Sequence, residues 1–69
     1  MEIRRIVLNR DGAVMNESSV KVPNRTEALS WIFNEQRAFA ASGYNDAKRC
    51  YWARPDERDM HLHQWRIIE

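Results

Sequence analysis

The chain predicts an α+β domain of order ββαββ, in which a single helix packs on one face of a small antiparallel sheet. Three observations lead there. A run of β-branched and aliphatic residues, Ile3–Leu8, is closed by Asn9-Arg10-Asp11-Gly12. A capping residue, Asn24, precedes a stretch with helical periodicity. Finally, Lys48 to Ile68 reads as a β-hairpin with aromatic residues on both of its faces. With 69 residues the chain forms one domain, residues 1–69, near the lower limit for a self-sufficient core. There are no repeats, no low-complexity stretch and no linker to divide it.

Each element has its own warrant. Ile3–Leu8 is the first strand. Asp11-Gly12 is a strong hairpin signal, because glycine tolerates the positive φ such turns require. The second strand starts near Ala13 and runs to Val22, broken or bulged around Asn16 to Ser19, where side chains compete for backbone hydrogen bonds. Pro23 ends it. Asn24 is the N-cap, and Glu27 three residues later completes a pair like a capping box. Leu29, Ile32, Phe33, Gln36, Phe39 and Ala40 then share one side of the wheel, and Gly43 is a natural C′ residue, so the helix is expected over Arg25–Ser42. Gln36 lies inside this stripe. Trp31 lies roughly 130° from its centre and either folds under the second strand or stands exposed as an anchor. Ala47–Arg54 and Met60–Ile68 close the sheet around Pro55-Asp56-Glu57-Arg58-Asp59.

Pairing symmetric about that loop sets Trp52 opposite Leu62, Tyr51 opposite His63 and Arg49 opposite Trp65. One face then carries Cys50, Trp52, Met60, Leu62 and Gln64, grading to Lys48 and Arg66. The other carries Arg49, Tyr51, Ala53, His61, His63, Trp65 and Ile67. One helix covers one face only, so an aromatic surface is left over, and such surfaces usually meet a partner. The second face suits the role of a contact surface. The alternative puts Ala47, Ala53, Trp65 and Ile67 under the helix, with the alanines making room for it.

Composition excludes several classes. Hydrophobic residues at 43% allow a core, and charged residues at 30% argue against a membrane protein. No apolar run approaches the ~20 residues needed to span a bilayer. The lone Cys50 rules out an internal disulfide and fits a reducing, cytoplasmic setting. Met1-Glu2-Ile3-Arg4-Arg5 has no apolar stretch of the kind a signal peptide needs. In that setting the triplets Asn16-Glu17-Ser18 and Asn24-Arg25-Thr26 are chance matches to a glycosylation signal. A net charge of +1 is too balanced to announce a nucleic-acid binder.

Chemistry is sparse. His61 and His63 share a strand face and could chelate zinc, but Cys50 is expected opposite, and no further ligands occur at recognised spacing. No metal or cofactor is expected. Cys50 with a histidine could act as nucleophile and base, yet a buried thiol beside Trp52 is the commoner arrangement. With only Gly12 and Gly43, no phosphate-cradling loop exists, and Asp56-Glu57-Arg58-Asp59 reads as a solvated turn. The chain is therefore not expected to be an enzyme. Arg4, Arg5, Arg10 and Lys21 could form a phosphate-contacting edge; by default they are edge-strand charges that discourage aggregation.

The build has a short opening hairpin, a helix carrying Thr26-Glu27-Ala28-Leu29-Ser30-Trp31-Ile32, and a closing antiparallel pair. In architecture it resembles the very small, cysteine-poor proteins of bacteriophages and other mobile elements, anti-CRISPR and host-takeover proteins among them. The resemblance carries no diagnostic motif, so no functional residues transfer with it. It implies a stoichiometric inhibitor that occludes a surface on a larger, nucleic-acid-handling host machine. The leading expectation is thus a protein-interaction module with Trp31, Arg49, Tyr51, His63 and Trp65 as contacts. Two alternatives use the same face: a single-stranded nucleic-acid binder, stacking bases on the rings, and a homodimeric structural or accessory subunit.

Overall fold

A computed structural model describes residues 1–55 and 61–69. It contains one helix and a five-stranded antiparallel sheet. The strands are β1 (Glu2–Leu8), β2 (Val14–Lys21), β3 (Ala41–Asn45), β4 (Cys50–Arg54) and β5 (Leu62–Ile68), with α1 (Arg25–Gln36) between β2 and β3. The order across the sheet is β2-β1-β5-β4-β3. The α+β class holds, but the element order is ββαβββ and not the expected ββαββ. The helix leaves one edge strand, crosses a single face, and delivers the chain to the opposite edge.

The additional strand comes from the C-terminal part of the expected helix. The cap itself forms as anticipated: the Asn24 side-chain Oδ1 accepts from the Glu27 N–H at 2.9 Å. The helix then stops at Gln36. Bonds from Ala38 N to Glu35 O and from Phe39 N to Gln36 O, at 3.2 and 3.1 Å, tighten the chain into turns. Ala40 N next donates to Arg54 O at 3.1 Å, tying the chain onto β4. Two side chains fix this exit. Phe39 packs its ring 4.7 Å from His63 and 5.8 Å from Trp65. Gln36 is buried and donates through Nε2 to Gly43 O at 3.2 Å and Trp52 O at 3.0 Å. Gly43 is thus a strand residue. Its missing side chain makes room for the Trp52 indole, since an added Cβ would lie 3.0 Å from Cζ2 and Nε1 of that ring.

The hairpins depart from expectation in register more than in existence. Gly12 takes φ +84°, and Asn9 Oδ1 accepts from the N–H groups of Asp11 and Ala13 at 2.9 and 3.0 Å, closing the β1–β2 turn. The irregularity in this pair falls between Val7 and Leu8, which face Asn16 and Val14, so the extra residue is Met15 and not one of Asn16–Ser19. β4 begins at Cys50 instead of Ala47, because Arg49 takes a left-handed φ of +52° in the preceding turn. Tyr51 pairs with Trp65, Trp52 with Gln64 and Ala53 with His63, a slip of two residues from the expected register. A slip of two leaves every side chain on its expected face, whereas a slip of one would have exchanged them. Met60 and the acidic turn Asp56–Asp59 lie outside the described residues.

The core lies between α1 and the sheet face that carries Ile3, Ala53 and Trp65, with Ala28 and Ile32 of the helix fully buried against it. Val20, Trp31, Tyr51 and Ile67 pack around this centre. The helix therefore buries a stripe through Ala28, Ile32 and Gln36, and its apolar centre is rotated away from the Leu29–Phe33 side.

Candidate interaction surface

The helix covers the face that the contact-surface reading left to solvent, and so decides between the two orientations the sequence left open. Of the alternative core face, Ala53, Trp65 and Ile67 do lie beneath α1, whereas Ala47 is exposed in the turn before β4. The physical reason is size matching. Ala28 on the helix and Ala53 on β4 are both fully buried and leave space for the large Trp65 ring between the layers.

The five expected contact residues separate accordingly. Trp65 is 0% exposed and has no surface to offer; its Nε1–H is sealed in without a hydrogen-bond partner among the described residues. His63 is half-buried beside it, ring centroids 6.2 Å apart. Arg5 donates through Nη2 to His63 Nδ1 at 2.8 Å, and since a guanidinium can only donate, Nδ1 is the accepting nitrogen. Trp31 is half-buried in a small recess formed with Ser18, Ser19 and Val20, so it lies under the second strand and does not stand out as an anchor. Only Arg49 and Tyr51 come together at the surface. They line a recess with Arg25, Tyr44 and Ile67.

This recess opens an aromatic patch. Tyr44 is directly opposite Tyr51 across β3 and β4, with ring centroids 4.7 Å apart at 60°. Phe33 reaches over from α1 and meets Tyr51 edge-on at 5.7 Å. Phe33 is 50% exposed and Tyr44 48%, large fractions for rings of this size. Arg25, in the first turn of α1, holds Glu69 at 3.4 Å. Arg49, placed by its left-handed turn, flanks the same recess. Sequence reasoning missed Tyr44 because it fell between the expected helix, ended by Gly43, and the strand expected from Ala47, and missed Phe33 because it was assigned to the buried stripe. The signal available was the Gly43-Tyr44 pair followed by Asn45, a β-prone residue beside turn formers.

The arginines of the first strand do not form a basic edge. Strand alternation sends Arg5 toward the helix and Arg4 to the open face, where it lies 3.7 Å from Glu2 and 4.0 Å from Glu17. β1 is also an interior strand, flanked by β2 and β5, so neither arginine guards an edge.

The uncovered face carries a second concavity. Trp52, Leu62 and Gln64 form its floor, with Asn45, Lys48 and Arg54 around it, enclosing about 590 Å³. Cys50 shares the parity of Trp52 and is fully buried. Among the described residues no group of three or more His, Cys, Asp or Glu is placed to hold a metal ion. Among the described residues no helix is long and apolar enough to cross a membrane. No family model matches the chain, and neither a curated protein nor a solved structure shows significant similarity to it.

Proposed function

We propose that this chain is a small, non-enzymatic protein-interaction module whose contact face is the patch of Phe33, Tyr44 and Tyr51 rimmed by Arg25 and Arg49. The observation that carries this reading is the half-exposure of Phe33 and Tyr44 in an edge-to-face cluster that the core does not require. Tyrosine and arginine are the residue types that dominate binding hot spots, because a rigid ring gives large contact area at low entropic cost. Arg25 is paired with Glu69, so Arg49 is the cation left to set the sign, and an acidic group on the partner complements it. The same reading covers a stoichiometric inhibitor of the phage type, acting in the cytoplasm by occluding part of a larger machine. A single cysteine, buried and without a disulfide, agrees with that compartment.

The test uses tagged wild-type chain and a Phe33→Ala/Tyr44→Ala variant against lysate of the source organism, with and without nuclease. The captured protein is then purified and titrated calorimetrically. Expected is a stoichiometric protein that survives nuclease, binds the wild type, and loses at least about tenfold in affinity to the variant, since paired hot-spot rings commonly cost 2 kcal/mol or more. Equal binding by a folded variant would remove this patch as the contact face.

A further inference from the structure

The concavity on the uncovered face lies on the other side of the sheet from the aromatic patch, and its side chains have no part in the core. Three features bear on what it would take. First, the Trp52 indole rests against Gly43, and its ring atoms approach that backbone as closely as an absent Cβ permits. This fixes an aromatic plane in the floor. Second, Gln64 is 9% exposed as a whole residue, and its amide makes no hydrogen bond to another described residue. It is not sealed in like the Trp65 N–H, because it lines the cavity. An amide that opens onto a cleft and makes no bond within the described residues is free to bond to a ligand there in place of water. Third, among the described residues that line this cavity the charged ones, Lys48 and Arg54, are both cations.

Asn45 adds direction. Its Oδ1 already accepts the Lys48 N–H at 3.1 Å, so its Nδ2 group is the part left to donate. Gln64 offers one donor and one acceptor side by side. A ligand that satisfies the whole set needs a flat ring for Trp52, an edge with a donor beside an acceptor for Gln64, and an anionic group for Lys48 or Arg54. A volume of about 590 Å³ is in the range of small-molecule sites. We infer that this cleft binds a nucleotide unit, its base against Trp52, its polar edge on Gln64, and its phosphate held by Lys48 or Arg54. Glutamine pairs in this way with the N6/N7 edge of adenine, and base stacking on an aromatic side chain is tolerant of sequence. The cations stand at either end of β4, so the chemistry fits a free nucleotide as well as one unit of a single strand.

The experiment titrates the full ¹⁵N-labelled chain with adenosine 5′-monophosphate, adenosine, inorganic phosphate and a single-stranded oligodeoxyadenosine. The signals followed are the Trp52 indole N–H and the Gln64 side-chain amide. Expected are shifts of both with the monophosphate, much weaker binding of adenosine, and neither shift with phosphate alone. Trp52→Ala and Gln64→Leu should each weaken binding about tenfold, the usual scale for one stacked or hydrogen-bonded base contact. The Gln64→Leu variant should keep the wild-type thermal transition, which separates lost binding from lost folding. Tighter, steeply salt-dependent binding of the oligomer would place the unit in a strand; equal affinity per site would make it a free nucleotide. Absence of shifts at Trp52 and Gln64 with every nucleotide probe at millimolar concentration overturns the inference. So does a tetraglutamate peptide that binds the cleft more tightly than any of them.

Discussion

Gln36 and Gln64 are buried to almost the same degree, at 8% and 9% exposure, on opposite sides of the same sheet. On the covered side, Gln36 spends its amide on two backbone oxygens, Gly43 O and Trp52 O, and so pins the end of α1 to β3 and β4. On the open side, Gln64 makes no such bond among the described residues. The same contrast separates two tryptophans on neighbouring strands. Trp65 is sealed beneath the helix, whereas Trp52 is half-buried in the floor of a cleft. One side of the sheet uses its polar and aromatic groups to hold the fold. The other keeps them available.

The largest expected effect tests the tryptophan half of that contrast. Trp65→Ala should cost about 3–5 kcal/mol, because it empties the centre of the interface with Ala28, Ile32 and Ala53. In a domain this small that loss abolishes the cooperative thermal transition. Trp52→Ala should cost about 1 kcal/mol, since only part of its ring area leaves water on folding. Equal losses in thermal or urea melts would mean the open face is as much a core as the covered one.

Next in size is Gln36→Leu. Volume is nearly kept, but two hydrogen bonds worth about 1 kcal/mol each disappear, so a loss of about 2 kcal/mol is expected in urea titration. The amide hydrogens of β3 should also exchange faster, because the latch joining the helix end to that strand is gone. An unchanged midpoint would show that Phe39 alone sets the exit from the helix.

How much of this was legible in the sequence follows from the range of each interaction. The first turn, the Asn24 cap and the parity of the last two strands were readable, because each depends on residues within a few positions of one another. Ala40-Ala41-Ser42-Gly43 was read as a helix end for the same local reasons. What overrules it is distant: Gln36 reaching Trp52 O, and the Trp52 ring needing the space over Gly43. Which face the helix covers was likewise undecided by pattern, since both faces of the hairpin carry aromatic rings. The deciding fact, small Ala28 matched to small Ala53 around Trp65, exists only once the layers meet. The contact surface was half legible: Arg49 and Tyr51 were found, while Phe33 and Tyr44 depended on the misread end of the helix.

Gly43→Ala follows, with an expected loss of about 1–2 kcal/mol, the usual range for inserting a methyl group where packing is tight. Its added carbon would meet the Trp52 ring at 3.0 Å. Because that ring is half-buried, it can swing outward into the cleft. The variant should therefore change the fluorescence of Trp52 as well as stability. A shift in stability without any change at Trp52 would mean the strain is taken up by the β3 backbone instead.

The smallest stability effect is expected at Gln64→Leu, and it is the sharpest test of the contrast between the two faces. Removing a buried amide that already has a protein partner costs its hydrogen bonds, as at Gln36. Removing one that faces a cleft and bonds to no protein group costs little, because the fold loses no hydrogen bond. Gln64→Leu should therefore leave the urea midpoint unchanged or raise it, while Gln36→Leu lowers it. The two substitutions are chemically identical and begin from nearly equal burial, so the main difference between them is what each amide bonds to. If Gln64→Leu destabilises the chain as much as Gln36→Leu does, Gln64 is a structural residue and the cleft has no unsatisfied group to offer a ligand. If it leaves the midpoint unchanged or raises it, the amide contributes nothing to the fold and stands available at the floor of the cleft, as expected where stability has been exchanged for binding.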